Sequence, residues 1–170
     1  LVQVATLVAV IAFFWNDLLA ILVSFVRGLV QRKPFSEPQS RRGWLISAAT
    51  LPAGIIGFFL KDAVESAFGS PLFIAIALLL NAMILLIAER IGKRDKFLQQ
   101  LRFKDAFAIG LAQAAAIFPG ISRSGSTIAG GMGRSLQRQE AARFSFLMSI
   151  PVMLVAGGYA ALEWIQMPGA

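Results

Sequence analysis

The sequence predicts an all-α integral membrane protein: a polytopic helical bundle carrying a re-entrant helix-loop-helix hairpin. Three observations lead there. Of 170 residues, 57% are hydrophobic and only 15% charged, whereas a soluble domain carries about a quarter charged residues. Apolar runs of spanning length recur between polar connectors, at 44–60, 71–89 and 140–164. Between the last two, 105–138 holds two apolar arms joined by Pro119-Gly120-Ile121-Ser122-Arg123-Ser124-Gly125-Ser126-Thr127, each arm too short to cross a bilayer alone. Irregular backbone at membrane depth is tolerated only where protein buries it or a wet cavity receives it, so the arms are expected to dip in and return.

The whole chain, 1–170, reads as one membrane domain. Residues 1–15 are apolar apart from Gln3, Thr6 and the interfacial Trp15, which predicts a spanning helix. Residues 18–30 form a shorter apolar piece ending near Arg27 and Gly28, expected to lie as an interfacial helix. A loop with Pro34 and Pro38 carries Arg32, Lys33, Arg41 and Arg42 against Glu37. The span 44–60 contains Pro52, which predicts a kink. After an amphipathic connector at 61–65, the span 71–89 opens on Pro71, a residue suited to a first helical turn because the N–H it lacks would have no partner there. A second basic loop at 91–104 leads to the hairpin. The last span, 140–164, is interrupted at Pro151 and at Gly157-Gly158. The absence of an initial methionine and the apolar start at Leu1 lead to the expectation of a fragment lacking sequence at both ends, and 1–10 lacks the basic n-region of a signal peptide.

Charge placement chooses between topologies. With 105–138 re-entrant, 14 of the 16 Lys and Arg residues fall on one face, Lys61 on the other and Arg123 inside; as one broken span, the split becomes 11 to 4. Cytoplasmic loops carry the cationic excess, so the hairpin is preferred and the common face is cytoplasmic. The same bias accounts for the net charge of +7 without a nucleic-acid partner. With no cysteine and no histidine, the chain has no disulfide, no thiolate chemistry and no imidazole base.

The turn between the arms concentrates hydrogen-bond donors. Gly120 and Gly125 allow backbone conformations closed to other residues, so successive N–H groups can form an anion nest. Ser122, Ser124, Ser126 and Thr127 add hydroxyls, and the second arm offers a helix N-terminus to negative charge. Arg123 supplies a planar fork that suits phosphate. An arginine at mid-membrane costs on the order of 3 kcal/mol or more, and no carboxylate lies in the interior of the hairpin to neutralise it. A bound anion is expected. The competing reading has Arg123 cap carbonyls of a broken helix while the serines satisfy local backbone. From the residues alone the phosphate could be cleaved or carried: hydrolysis needs a base and usually a metal, and a transporter with a broken mid-membrane helix would show the same signature. Gly130-Gly131-Met132-Gly133 reads as a close helix-packing surface, since no strand precedes it.

At Pro119–Thr127 the sequence resembles the bacterial undecaprenyl-diphosphatase family, the membrane phosphatases associated with bacitracin resistance. The likeness extends through Gly130-Gly131-Met132 and Glu140-Ala141-Ala142-Arg143-Phe144-Ser145-Phe146-Leu147, and upstream to Gln113 and to Gln3 in Val2-Gln3-Val4-Ala5-Thr6-Leu7. The resemblance implies an inverted-repeat fold with two re-entrant hairpins, of which this chain holds the second. It implies an enzyme of the bacterial inner membrane, multi-pass, with its active site facing the periplasm. That enzyme removes the terminal phosphate of undecaprenyl diphosphate, recycling the carrier for peptidoglycan synthesis. By that resemblance Arg123, Ser122, Ser124 and Thr127 are the catalytic group that holds the diphosphate, Ser122 and Ser124 serving either as phosphate ligands or as the attacking hydroxyl; Gly120, Gly125 and Ser126 of the donor-rich turn, and more weakly Gln113 and Gln3, are the substrate-binding candidates.

A divalent cation, Mg or Ca, is implied by the resemblance, with its ligands in the absent first hairpin, so the piece alone is expected to be inactive. The expected partners are undecaprenyl diphosphate and membrane lipids, with homodimerisation left open. The alternative from another class is a non-catalytic lipid-phosphate transporter or binding module.

Overall fold

The computed structural model describes the backbone of residues 2–166 and the side chains of residues 4–158, and within it the chain forms eight α-helices and one short 3-10 turn. Helix α1 (Val2–Phe13) and helix α2 (Trp15–Val30) are bent 78° against each other at Phe14. Helix α3 runs Pro38–Phe59, six residues earlier than the apolar run alone indicates. Pro38 presets the backbone at the first helical position, and Arg41 is useful inside the helix because its guanidinium donates to the carbonyls of Gln99 at 3.1 Å and Leu101 at 2.6 Å. The short α4 (Lys61–Phe68) leads to α5 (Pro71–Ile91), capped by Ser70, whose hydroxyl accepts from Phe73 N–H. Helices α6 (Phe103–Ala115) and α7 (Arg123–Gly133) follow, and α8 covers Arg138–Gln166.

Among the described residues three helices, α3, α5 and α8, are long and apolar enough to cross a membrane, and a fourth crossing is reached if the bent α1–α2 pair counts as one. At 1.5 Å per residue, α6 and α7 reach only about 20 Å and about 17 Å, short of the ~30 Å hydrocarbon core.

Small residues bring the helices together. A Cβ on Gly110 of α6 would collide with the carbonyl oxygen of Ala49, so α3 and α6 are in backbone contact there. Such close approach is how helices gain packing energy where lipid removes the hydrophobic drive. Gly131 of α7 meets Ala141 of α8 in the same way, the packing role expected for 130–133. Leu45, Ala49, Ala106, Ile109, Met132, Leu136, Phe144, Leu147 and Met148 fill the space between α3, α6, α7 and α8.

Polar contacts gather at one end of this core. Asp105, 1% exposed, accepts from Arg134 Nε at 2.7 Å and Nη2 at 2.5 Å, and its other oxygen accepts from Arg102 N–H at 3.2 Å. The first residues of α6 therefore meet the residue after α7, and the two helices form an antiparallel hairpin whose ends lie together. The segment before α6 is clamped across this base: Lys96 N–H donates to Ser135 O, Gln137 N–H to Lys96 O, and Leu98 N–H to Glu140 Oε2. Arg138 and Arg94 both pair with Glu89. Arg41, Arg94, Lys96, Arg134 and Arg138, all among the 14 cations expected on one face, thus sit at one end, with the turn of the hairpin at the other.

Candidate functional site

The tip is shaped by α5. Gly120 has φ +89°, and a Cβ there would lie 2.6 Å from Ile74 O and 3.0 Å from Ala77 Cβ. Both the left-handed backbone and the closeness of α5 require glycine. From Gly120 the chain turns into α7 with Ser122 as N-cap, its hydroxyl oxygen accepting from Gly125 N–H at 3.1 Å, one of the orphan amides every helix start must satisfy. Ser122 Oγ and Ser124 Oγ stand 3.5 Å apart on the open side. Gly125 is buried beside Ser122 and Leu85.

Arg123 is the first residue of α7. Most arginines that reach another element are paired: Arg134 with Asp105, Arg143 with Asp17, Arg94 and Arg138 with Glu89, Arg27 with Glu37. Among the described residues, no carboxylate pairs with the Arg123 guanidinium and no carbonyl accepts from it. That geometry opposes the carbonyl-capping reading. The guanidinium instead borders a cavity of about 380 Å³ whose other walls are Val4 and Leu7 of α1, Ala116 of the turn, and Val152, Met153, Ala156 and Gly157 of α8. One cation in an apolar wall matches an amphiphile with an anionic head.

The other candidates divide. Ser126 and Thr127 are buried and face neighbouring helices: Ser126 Oγ lies 3.5 Å from Asn81 Oδ1 of α5, and Thr127 Oγ1 lies 2.6 Å from Ser145 Oγ of α8. The structure therefore directs these two hydroxyls away from the open side. Gln113 is 2% exposed, one turn before Ala116, and neither its amide oxygen nor its amide nitrogen has a hydrogen-bond partner. Gln3 lies in α1 one turn before Leu7, and its side chain is outside the described residues.

Two side chains that the sequence reading passed over emerge here. Asn81 is the sole polar residue in the apolar stretch 71–88, and a polar group at membrane depth marks function or interhelical bonding by default. That signal was available. Ser145 lies within the stretch of family likeness at 140–147, but nothing local marks a role for it, because its partner is 18 residues away in sequence.

The carboxylates nearest the hairpin are committed. Hydrogen bonds from Arg134 and Arg102 and the nearby Arg134 and Lys96 charges hold the Asp105 carboxyl below its usual range, against the burial that would raise it. Among the described residues no group of three His, Cys, Asp or Glu side chains is placed to hold a metal. The donor set described here does not fit a divalent cation.

Short helices returning on themselves beside apolar helices long enough to cross a membrane define a polytopic helical membrane protein, with an arginine at the hairpin tip that has no carboxylate partner among the described residues. The chain belongs to the family described as bacitracin resistance protein BacA, whose model it matches over residues 1–169. It is 45% identical over 155 residues to a protein of Rubrobacter xylanophilus named undecaprenyl-diphosphatase, covering 91% of this chain and 57% of that protein. Proteins of the same name from Chloroherpeton thalassium and Myxococcus xanthus are each 41% identical to it, over 96% and 92% of this chain and 60% and 52% of their own lengths. The chain thus spans somewhat more than half the length of these curated relatives.

Proposed function

We propose that this chain is the diphosphate-holding part of an enzyme that hydrolyses undecaprenyl diphosphate to undecaprenyl phosphate and inorganic phosphate. Such an enzyme recycles the lipid carrier of peptidoglycan synthesis and confers resistance to bacitracin. The observation that carries the reading is Arg123: a cation without a counter-ion among the described residues, at the tip of a hairpin, on an otherwise apolar cavity. The names of the relatives and the family membership support the same activity. The cationic end of the bundle argues for cytoplasmic placement of the hairpin base, hence for a re-entrant hairpin with its tip toward the outer side of the inner membrane.

In hydrolysis a water oxygen forms a bond to the terminal phosphorus while the bridging P–O bond breaks, and the lipid monophosphate leaves. Negative charge spreads over the equatorial oxygens in that transition state. Arg123, pre-positioned in low dielectric, stabilises it, while Ser122 and Ser124 donate from the open side. Gln113, buried in α6 one turn before Ala116, is a further amide near this end of the hairpin. The attacking water requires a base, and a divalent cation requires donors; both belong to residues other than those described.

The test is phosphate release from undecaprenyl diphosphate by the full-length protein in detergent. Arg123→Ala is expected to lower kcat/KM by on the order of 10³, the lower end for an arginine that stabilises a transferring phosphoryl group, with folded protein recovered in normal yield. Wild-type protein that binds the substrate without releasing phosphate would move the assignment to a carrier.

A further inference from the structure

The motif presents four hydroxyls, yet two of them are buried against neighbouring helices. Thr127 is 1% exposed, and its hydroxyl lies 2.9 Å from Arg123 O, 3.2 Å from Ser124 O and 2.6 Å from Ser145 Oγ. A hydroxyl has one proton to give. Thr127 gives it to the carbonyl of the first helical turn, so the Ser145 hydroxyl, 3% exposed, is the donor of the 2.6 Å bond. The result is a relay from the Ser145 O–H on α8 to Thr127 Oγ1, and from the Thr127 O–H to the carbonyl of Arg123 itself. About 100° round α7, Ser126 Oγ lies 3.5 Å from Asn81 Oδ1, and the same face of α5 carries Ile74 and Ala77 against Gly120 and Leu85 against Gly125.

We infer that Ser145 on α8, acting through Thr127, and Asn81 on α5, acting through Ser126, are positioning residues that set where the Arg123 guanidinium and the Ser122–Ser124 pair stand relative to a bound phosphate. The inference rests on the reading of the hairpin tip as a phosphate site. Three physical points carry it. Both hydroxyl pairs are buried, so water does not compete for them. They attach to the first turn of α7, the part that sets the direction of the tip. Helix association in lipid lacks a hydrophobic drive, so a hydroxyl pair of this kind fixes the rotation of a short glycine-rich helix that apolar packing leaves loosely specified. The two serines on the open side hold the ligand, and the two hydroxyls on the closed side hold the helix.

The full-length protein, purified in detergent, tests this with Ser145→Ala, Thr127→Val, Thr127→Ser and the Ser145→Ala/Thr127→Val double variant. Phosphate release and equilibrium binding of farnesyl diphosphate are read alongside thermal unfolding. Ser145→Ala and Thr127→Val are each expected to lower kcat about tenfold or more with a smaller change in KM, because a misplacement near 1 Å costs up to about 10²-fold. Thr127→Ser, which keeps the hydroxyl, is expected to recover most of the activity. The double variant should be no worse than either single one, since all three remove the same relay. Asn81→Leu is expected to act in the same direction with a smaller loss, given its longer contact. Wild-type kcat in Ser145→Ala, or additive losses in the double variant, would overturn the inference. So would a Thr127→Ser variant as impaired as Thr127→Val, or a loss that merely tracks the fraction of folded protein. If the wild type releases no phosphate, the diphosphatase reading fails, and weakened binding of farnesyl diphosphate by Ser145→Ala, restored in Thr127→Ser but not in Thr127→Val, then decides the positioning role by itself.

Discussion

Gly120→Ala is the substitution whose effect follows most directly from geometry. At φ +89° an alanine carries a left-handed penalty of about 1–2 kcal/mol. Its Cβ would also lie 2.6 Å from the Ile74 carbonyl oxygen, whereas ordinary contact begins at 3.4 Å. The turn or α5 must therefore yield by 3.4 − 2.6 = 0.8 Å. That carbonyl belongs to the interior of a 21-residue helix, so the turn moves, and it carries Ser122 and Arg123 with it. A shift of this size at a group that must meet a transition state costs roughly 10- to 100-fold in rate. The expected outcome is a protein that still folds, unfolds at a slightly lower temperature, and releases phosphate from undecaprenyl diphosphate 10- to 100-fold more slowly. Gly120→Asn separates the two causes, because asparagine tolerates the left-handed region yet brings the same Cβ. It should regain stability and remain slow. Activity within twofold of wild type in Gly120→Ala, or full recovery in Gly120→Asn, would refute the reasoning.

Further outcomes are expected elsewhere in the hairpin. Gln113→Leu replaces a buried amide whose two polar atoms have no partner, which should stabilise the free protein by about 1–3 kcal/mol. If the amide serves the ligand, the same variant raises KM in phosphate release, and a gain in unfolding temperature with unchanged KM would leave Gln113 without a binding role. Asp105→Asn breaks the latch at the base of the hairpin. Removing one partner of a buried pair costs 3–5 kcal/mol, but Arg134 is 40% exposed and can rehydrate, so the loss should be about 2 kcal/mol. Because its folded pKa is depressed, the contribution of Asp105 is fully present above the unfolded carboxylate value near 4 and is lost as pH falls through the lower folded value. Unfolding temperature measured from pH 6 downward should therefore drop more steeply for wild type than for Asp105→Asn, and parallel curves would contradict the assignment.

Much of the architecture was legible in the chain because lipid is a demanding solvent. Predominantly apolar runs in 71–89 and 44–60 announce helices long enough to cross, since every backbone polar group there must be satisfied within its own segment. The 11- and 13-residue helices flanking 116–122 were equally visible as arms too short to span. The return of the hairpin was implied by counting charges, and the Asp105–Arg134 contact supplies the pair that joins its ends. Arg123 was conspicuous as a cation with no carboxylate near it in sequence, and it has none among the described residues in space.

By itself the sequence determined the apolar spans, the glycines of the turn, and the arginine with its surrounding hydroxyls, because each depends on local composition and on the cost of polar groups in hydrocarbon. Only the tertiary structure decided which hydroxyls stay exposed and which are buried against protein. Ser122 and Ser126 look alike along the chain and, four residues apart, fall on one side of α7, but Ser122 is the exposed N-cap ahead of the helix while Ser126, one turn further in, is buried beside Asn81 of α5. Which side of a helix meets a neighbour is set by packing partners tens of residues away, such as Ala49 beneath Gly110 and Ser145 beside Thr127, and no local pattern encodes them.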